Sequence, residues 1–168
     1  MTKLQGRAWR FPAHVTTDDI LPGAYLDRSN EELGQFAMAG MDPDFVNKIA
    51  PGDMIVAGTN FGNGSGRESA PIAIQLAGIA AVVAPSFART YFRNSINIGL
   101  PAVMVTESER IEQGTLITID LGSQQVTAGD QTYPILNLSG ISLEILEAGG
   151  IVPFTKKRLA VTGPRSAG

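Results

Sequence analysis

Asp53-Met54-Ile55-Val56-Ala57-Gly58-Thr59-Asn60-Phe61-Gly62-Asn63-Gly64-Ser65-Gly66-Arg67-Glu68-Ser69-Ala70 is the stretch around which the rest of the chain falls into order. Its first five residues form an apolar, strand-like run. Pro71 to Ala77, directly after it, reads as a helix. A glycine-rich turn therefore joins the end of a strand to the start of a helix. Glycines at 58, 62, 64 and 66 let the backbone take positive φ and come close to a ligand. A helix start offers unpaired N–H groups and a partial positive charge, which suits an anion. Arg67 adds a planar fork of donors matched to a carboxylate or phosphate. Ser65 puts a hydroxyl in the same place. The arrangement implied is an anion site with a reactive hydroxyl beside it.

Three other readings compete for these residues. Ser65-Gly66-Arg67-Glu68 fits the S-x-x-E capping box, with Ser65 as N-cap and Glu68 three residues on. A cap serine can also face a ligand, so both roles stay open. The glycines also spell G-x-G-x-G, but Arg67 stands where a dinucleotide fingerprint needs its last glycine. No Asp or Glu occurs between Glu68 and Glu107, so the ribose-binding acid is missing. A P-loop needs Gly-Lys-Ser/Thr, and the loop contains no lysine.

Outside the loop, the composition narrows the function classes. A chain of 168 residues is long enough for one domain with a real core, 1–168, ending in a frayed tail at roughly 159–168. Charged residues are 17% and hydrophobic ones 43%, the balance of a globular protein. A net charge of −3, with no basic run before the tail, argues against a nucleic-acid binder. No stretch is long and apolar enough to span a membrane, and the N-terminus lacks a secretory core, so a cytoplasmic protein is expected. There are no cysteines, so the chain supplies no disulfide, no thiolate nucleophile and no cysteine ligand for an Fe–S cluster. The single histidine, His14, reads as a surface or loop residue. Proton chemistry must then use a hydroxyl, a carboxylate or a group on another chain.

Read in order, Gly6 to Phe11 is a first strand. Thr16-Thr17-Asp18-Asp19 is N-cap and turn chemistry, with a short helical turn ahead of Pro22-Gly23. Glu31 to Met38 reads as a helix, and a shorter turn of helix ends at Ile49. From 53 to about 106 the pattern is strand, helix, strand, helix, strand. Ile79 to Ala84 is a continuous apolar run, as in a strand buried on both faces. Ser86 to Asn97 reads as a helix closed by Gly99. This order implies a parallel core with right-handed crossovers, with ligands beyond the carboxyl ends of its strands. Arg89 and Arg93 share one helical face. Asn94 and Asn97 are placed to fix the following loop. After Glu107, three alternating segments at 116–121, 125–128 and 132–135 read as appended antiparallel strands. Ser142 to Ala148 is a short helix with Ser142 as its cap, stopped by Gly149-Gly150. The fold class is α/β.

Four ordered stretches carry a family resemblance: Thr16-Thr17-Asp18-Asp19-Ile20-Leu21-Pro22-Gly23-Ala24-Tyr25-Leu26; Gly52-Asp53 through Gly58; Asn60-Phe61-Gly62-x-Gly64-Ser65-x-Arg67-Glu68-x-Ala70-Pro71; and Ser86-Phe87-Ala88-Arg89-x-Tyr91-x-Arg93-Asn94-x-x-Asn97-x-Gly99-Leu100. Together they resemble the small subunits of 3-isopropylmalate dehydratase and homoaconitase, counterparts of the swivelling domain of aconitase. The resemblance implies a swivel-type fold and an Fe–S hydro-lyase that moves a hydroxyl between neighbouring carbons of a hydroxy-diacid. It also implies a large partner subunit that carries the [4Fe–4S] cluster. Ser65 matches the family serine that removes and returns the proton beside a carboxylate. Arg67 matches the arginine that binds a substrate carboxylate, and Thr17-Asp18 match an active-site pair. Gly66 stands where the family often has a second serine near substrate, and Arg28 stands in the substrate-reading loop.

This chain departs from the family at Gly66, at Ser69 (usually His or Gln), at Asn63, and at Asp27, which pushes the arginine one residue on to 28. The reaction class is therefore better determined than the substrate. Isopropylmalate, in leucine biosynthesis, is expected first; homoaconitate or another substituted malate such as dimethylmalate is the alternative. A stand-alone carboxylate-binding module or a regulatory subunit is the alternative of another class. Self-association of small subunits is left open.

Overall fold

The computed structural model describes residues 3–162. Its elements are β1 (Lys3–Phe11), α1 (Thr17–Ile20), α2 (Phe45–Lys48), β2 (Met54–Ala57), α3 (Ser69–Leu76), β3 (Ala81–Ala84), α4 (Arg89–Asn97), β4 (Ala102–Met104), β5 (Leu116–Asp120), β6 (Gln125–Ala128), β7 (Gln131–Pro134), α5 (Gly140–Ala148) and α6 (Ile151–Thr162). Short 3-10 turns lie at Gly23–Tyr25, Asn30–Phe36 and Ser108–Arg110. The expected strand-helix-strand-helix-strand core is β2 to β4, and its strands are parallel.

All seven strands lie in one sheet, in the order β4-β3-β2-β1-β5-β6-β7. β1 is shared between two kinds of pairing. Its residues Ala8 to Phe11 run parallel to β2, while Lys3 to Arg7 run antiparallel to β5. The antiparallel strands are therefore joined to the parallel ones through β1, where the sequence suggests only an appendage. Pairing partners 110 or so residues apart leave no local signature.

Side chains alternate across the sheet, as the two-residue period of a strand requires. Met54, Val56, Ala81 and Val83 pack on one face with Ile117, Ile119 and Val126. Ile55, Ala57, Val82 and Ala84 pack on the other with Ile20, Phe45, Ile74 and Tyr91. Every residue of β2 and β3 is buried, whereas β6 alternates exposed and buried. Continuous apolar runs mark strands covered on both faces.

Asp53 pins the entry to β2. Its carboxylate accepts hydrogen bonds from the Trp9 indole Nε1–H at 2.8 Å, the Ala50 N–H at 2.9 Å and the Arg7 N–H at 3.3 Å. Burial pushes its pKa up, but these donors outweigh burial and hold the carboxyl below its usual value. One side chain thus ties the turn before β2 to the centre of β1.

Three local expectations change. The segment expected as an α-helix from Glu31 is a 3-10 helix over Asn30–Phe36, packed on α3. α5 begins at Gly140, so Ser142 is not its cap; the Ser142 hydroxyl donates to the Ser139 carbonyl at 2.8 Å. The tail expected to fray from 159 is helical through Thr162, as part of α6, and 163–168 lie outside the described residues. Pro153 falls in the first turn of α6, where its missing N–H breaks no bond. α6 has no continuous buried stripe, with Val152, Leu159 and Val161 all exposed, so it carries no periodic signal of a helix.

Candidate active site

Three loops converge beyond the carboxyl ends of β1, β2 and β3. The first leads into α1, where Thr16 forms a capping box with Asp19: the Asp19 N–H donates to Thr16 Oγ1, and the Thr16 N–H donates to the Asp19 carboxylate. This box fixes the pose of Thr17, which is only 2% exposed. The second is the glycine loop after β2. Its backbone is tied to the first by Gly62 N–H to Val15 O and Thr17 N–H to Asn63 O, both 2.8 Å. Gly62 sits at φ +85° with its α-carbon against the Tyr91 ring, so no side chain fits there. Burial pushes the Tyr91 hydroxyl pKa up, keeping the ring under the loop neutral.

At the tip of that loop, Ser65 meets Thr17 and Arg67. The Ser65 N–H donates to Thr17 Oγ1 at 3.2 Å, and the two hydroxyl oxygens are 3.1 Å apart. Arg67 Nε–H donates to Ser65 Oγ at 2.6 Å. With Thr17 Oγ1 already accepting from the backbone, its own proton is available to Ser65 Oγ. Two donors thus converge on one oxygen, the arrangement that stabilises a serine alkoxide. Ser65 as a residue is exposed, so the cluster lies at the surface of this chain. The Arg67 Nη1 is buried with no hydrogen-bond partner. A buried guanidinium nitrogen left unpaired is costly, and a carboxylate is the acceptor matched to it in charge and geometry.

The expected capping box at Ser65 does not form. α3 starts at Ser69, its N-cap position is Glu68, and no side chain caps it. Gly66 at φ +69° turns the chain before the helix begins. The Ser65 hydroxyl is therefore free of capping duty. Its electrostatic support comes from Thr17 and Arg67, not from the tip of α3. The capping-box pattern is real one loop earlier, at Thr16 to Asp19.

The third loop leads from β3 into α4. Asn94 Nδ2 donates to the Gly66 carbonyl at 3.1 Å, and Thr90 lies against the Gly66 α-carbon. Asn94 was expected to fix the loop after α4; it fixes the glycine loop instead. Thr90 carries no sequence signal for this contact. Ser86, expected inside the helix, precedes it; its hydroxyl accepts the Asn60 N–H at 2.8 Å.

Of the expected site residues, Thr17, Ser65, Gly66 and Arg67 come together. Asp18 is exposed and its Oδ1 accepts the Gly23 N–H at 3.1 Å, closing the turn after α1. Arg28 is exposed and lies 5.6 Å over the Phe36 ring, which stacks on Tyr25 with centroids 4.1 Å apart. Within this chain neither bonds to Ser65 or Arg67. His14 is exposed, as expected, with Nδ1 3.3 Å from Asn60 Nδ2. Among the described residues no group of three or more His, Cys, Asp or Glu is placed to hold a metal ion. Among them also, no helix is long and apolar enough to cross a membrane.

This fold and loop cluster define a known class. Residues 24–108 match the family model of the aconitase C-terminal domain, and the chain belongs to that family. The 3-isopropylmalate dehydratase small subunit of Nautilia profundicola is 44% identical over 162 residues, covering 95% of this chain and 98% of the relative. The isopropylmalate/citramalate isomerase small subunit of Methanocaldococcus jannaschii is 45% identical, covering 94% of this chain and 96% of the relative. A crystal structure of 3-isopropylmalate dehydratase from Methanocaldococcus jannaschii matches with a TM-score of 0.91 at 42% identity, over 96% of this chain and 98% of that one. Relatives named as small subunits of a hydro-lyase imply a large-subunit partner here as well.

Proposed function

We propose that this chain is the small subunit of a 3-isopropylmalate dehydratase, working in the cytoplasm with a large subunit that bears a [4Fe–4S] cluster. The observation that carries this is the open Ser65–Thr17–Arg67 cluster with its unpaired buried guanidinium nitrogen. Lacking cysteine and any grouped metal ligands among the described residues, the chain fits a role facing such a cluster, not holding it. When bound to the large subunit, the cluster supplies a Lewis acid to the substrate hydroxyl.

The remaining chemistry belongs to this chain. Arg67 Nη1 receives a substrate carboxylate and orients the neighbouring carbon over Ser65. Ser65 Oγ, as the alkoxide, takes the proton from that carbon and returns it from the same oxygen in the hydration step. A free serine hydroxyl is a poor base near neutral pH. The donors on Ser65 Oγ, strengthened once water is excluded, lower that barrier. Water exclusion requires a second wall, because Asn63, Gly64 and Ser65 are all exposed in this subunit. Gly66, where the family often has a serine, takes a left-handed turn tight against Thr90 that a side chain would strain, and Arg28, held over Phe36, reads the substrate's far end once the partner closes. Asp18 shapes the turn that carries Thr17.

Citramalate is the second substrate to consider, because a relative of equal identity is named for both isopropylmalate and citramalate. The experiment is to reconstitute both subunits anaerobically and assay 3-isopropylmalate, citramalate and homoaconitate side by side. Turnover is expected on 3-isopropylmalate only when both chains are present. Inactivity on all three with an intact cluster, or full activity of the large subunit alone, would refute the proposal.

A further inference from the structure

Helix α4 carries two exposed arginines one turn apart, Arg89 and Arg93. Among the described residues neither has an ion pair or a hydrogen bond. Elsewhere on this acidic chain Lys3 and Lys48 do find carboxylates, Asp120 and Asp42. The placement is also unfavourable locally. Like charges four apart on a helix repel. Arg89 opens α4, whose first turn has no acidic residue and whose N-cap position has no side-chain cap. A cation there opposes the positive end of the helix dipole. Local rules broken without internal compensation point to a counter-charge that the isolated chain does not hold.

The face in question is continuous with the Ser65 cluster. Thr90, between the two arginines, lies against Gly66, and Asn94, next to Arg93, holds the Gly66 carbonyl. If the large subunit closes over Ser65, as the proposed function requires, it also reaches this side of α4. We propose that Arg89 and Arg93 are a cationic anchor for carboxylates on the large subunit. A nucleic acid or an anionic membrane fits poorly, since a pair of arginines is a small basic patch on a chain of net charge −3. The small diacid is already matched by Arg67, whose free nitrogen is buried while the α4 arginines are exposed. Docking through α4 would also hold the helix that holds Gly66, so assembly and loop order are coupled in one contact.

The test measures binding of the large subunit by calorimetry at about 50 and 200 mM salt, with wild-type chain, Arg89→Ala/Arg93→Ala and Arg89→Glu/Arg93→Glu. The expected result is wild-type binding that weakens with salt, a loss of affinity of about tenfold in the alanine pair, and on the order of 100-fold in the glutamate pair. With the large subunit saturating, substrate KM is expected to move less than about twofold, because no substrate contact is removed. Melting of the isolated alanine pair is expected at or above the wild-type temperature, because two repulsive placements are removed. Equal affinity of all three chains overturns the anchor while leaving the proposed function standing. So does a raised KM with unchanged subunit affinity, which would place the arginines on substrate. A lowered melting temperature of the alanine pair overturns it too, by assigning the arginines to the fold. Failure of the wild-type chain to bind the large subunit at either salt overturns both.

Discussion

The two wings of the sheet use the same strand geometry for different ends. In the parallel wing, from β1 to β4, β2 and β3 are buried on both faces, and the crossovers leaving the strands' carboxyl ends carry Thr17 at the start of α1, Ser65 and Arg67 on the glycine loop, and Asn94 within α4. In the antiparallel wing, β6 alternates buried and exposed residues, and the turns at Gly122 and Gly129 close hairpins. A strand covered on both faces needs long crossovers, and each crossover begins with a loop at the same edge. Three such loops meet and make a site. Hairpin turns connect neighbours too tightly to do so. The proposed site therefore lies in the wing whose strands are buried on both faces.

The largest expected effect tests this division directly. Ser65→Ala in the two-chain enzyme should lower turnover by about 10²–10⁴-fold, the usual span for losing a proton-transfer group, with assembly unaffected. Asp130→Ala, in the β6–β7 turn, should leave turnover within about twofold, as for surface changes away from such features. Steady-state rates at saturating large subunit decide it; a comparable loss in both variants would erase the distinction between the wings.

Next comes the interior. Ile55→Ala removes a fully buried side chain from β2 and should cost about 2–5 kcal/mol by urea unfolding of the isolated chain. Leu116→Ala, on a residue 48% exposed in β5, should stay within about 0.5 kcal/mol. Near-equal losses would mean that the two wings share burial more evenly than the sheet suggests.

Asp53 sharpens the comparison through pH. Its folded pKa is held below the usual value, so its contribution is fully present above the unfolded pKa, about 3.9. That contribution is lost as pH falls through the depressed folded value. Asp53→Asn should destabilise by about 1–3 kcal/mol at neutral pH, the scale of an impaired buried hydrogen-bond cluster. The gap to wild type should narrow below the unfolded pKa. A gap constant down to the acid limb would show that charge plays no part at this turn.

The smallest effect concerns the glycine loop. Gly66→Ser restores the residue common in the family, but here φ is +69° and a Cβ would lie 2.9 Å from the Thr90 methyl. A drop of about 1–2 kcal/mol is expected, the usual penalty for an ordinary residue in left-handed backbone. A thermal midpoint unchanged from wild type would instead show that the loop relaxes freely.

Much of the parallel wing was legible because its signals are local. The continuous apolar runs at 54–57 and 81–84 and the glycine turn between strand and helix mark it directly. Family motifs placed Thr17, Ser65 and Arg67 on one loop cluster, and they do meet. What was misread depended on non-local geometry. Ser65 and Glu68 have the right spacing for a cap, but the turn at Gly66 keeps them out of the helix. Asp18 and Arg28 come from the same family motifs, and within this chain Asp18 accepts a backbone N–H and Arg28 lies over an aromatic ring, so their part in a site depends on a wall this chain does not supply. α6 escaped because a helix with no continuous buried stripe has no apolar period to detect.

One strand in this sheet belongs to two neighbourhoods. Because β1 spends its first five residues on β5 and its last four on β2, it acts as a common spine. Neither side can peel away without stripping hydrogen bonds from that spine, so heat should melt both together. A chain shortened past Arg7 would lose its antiparallel seam first, and the serine-bearing edge would then rest on half a backbone.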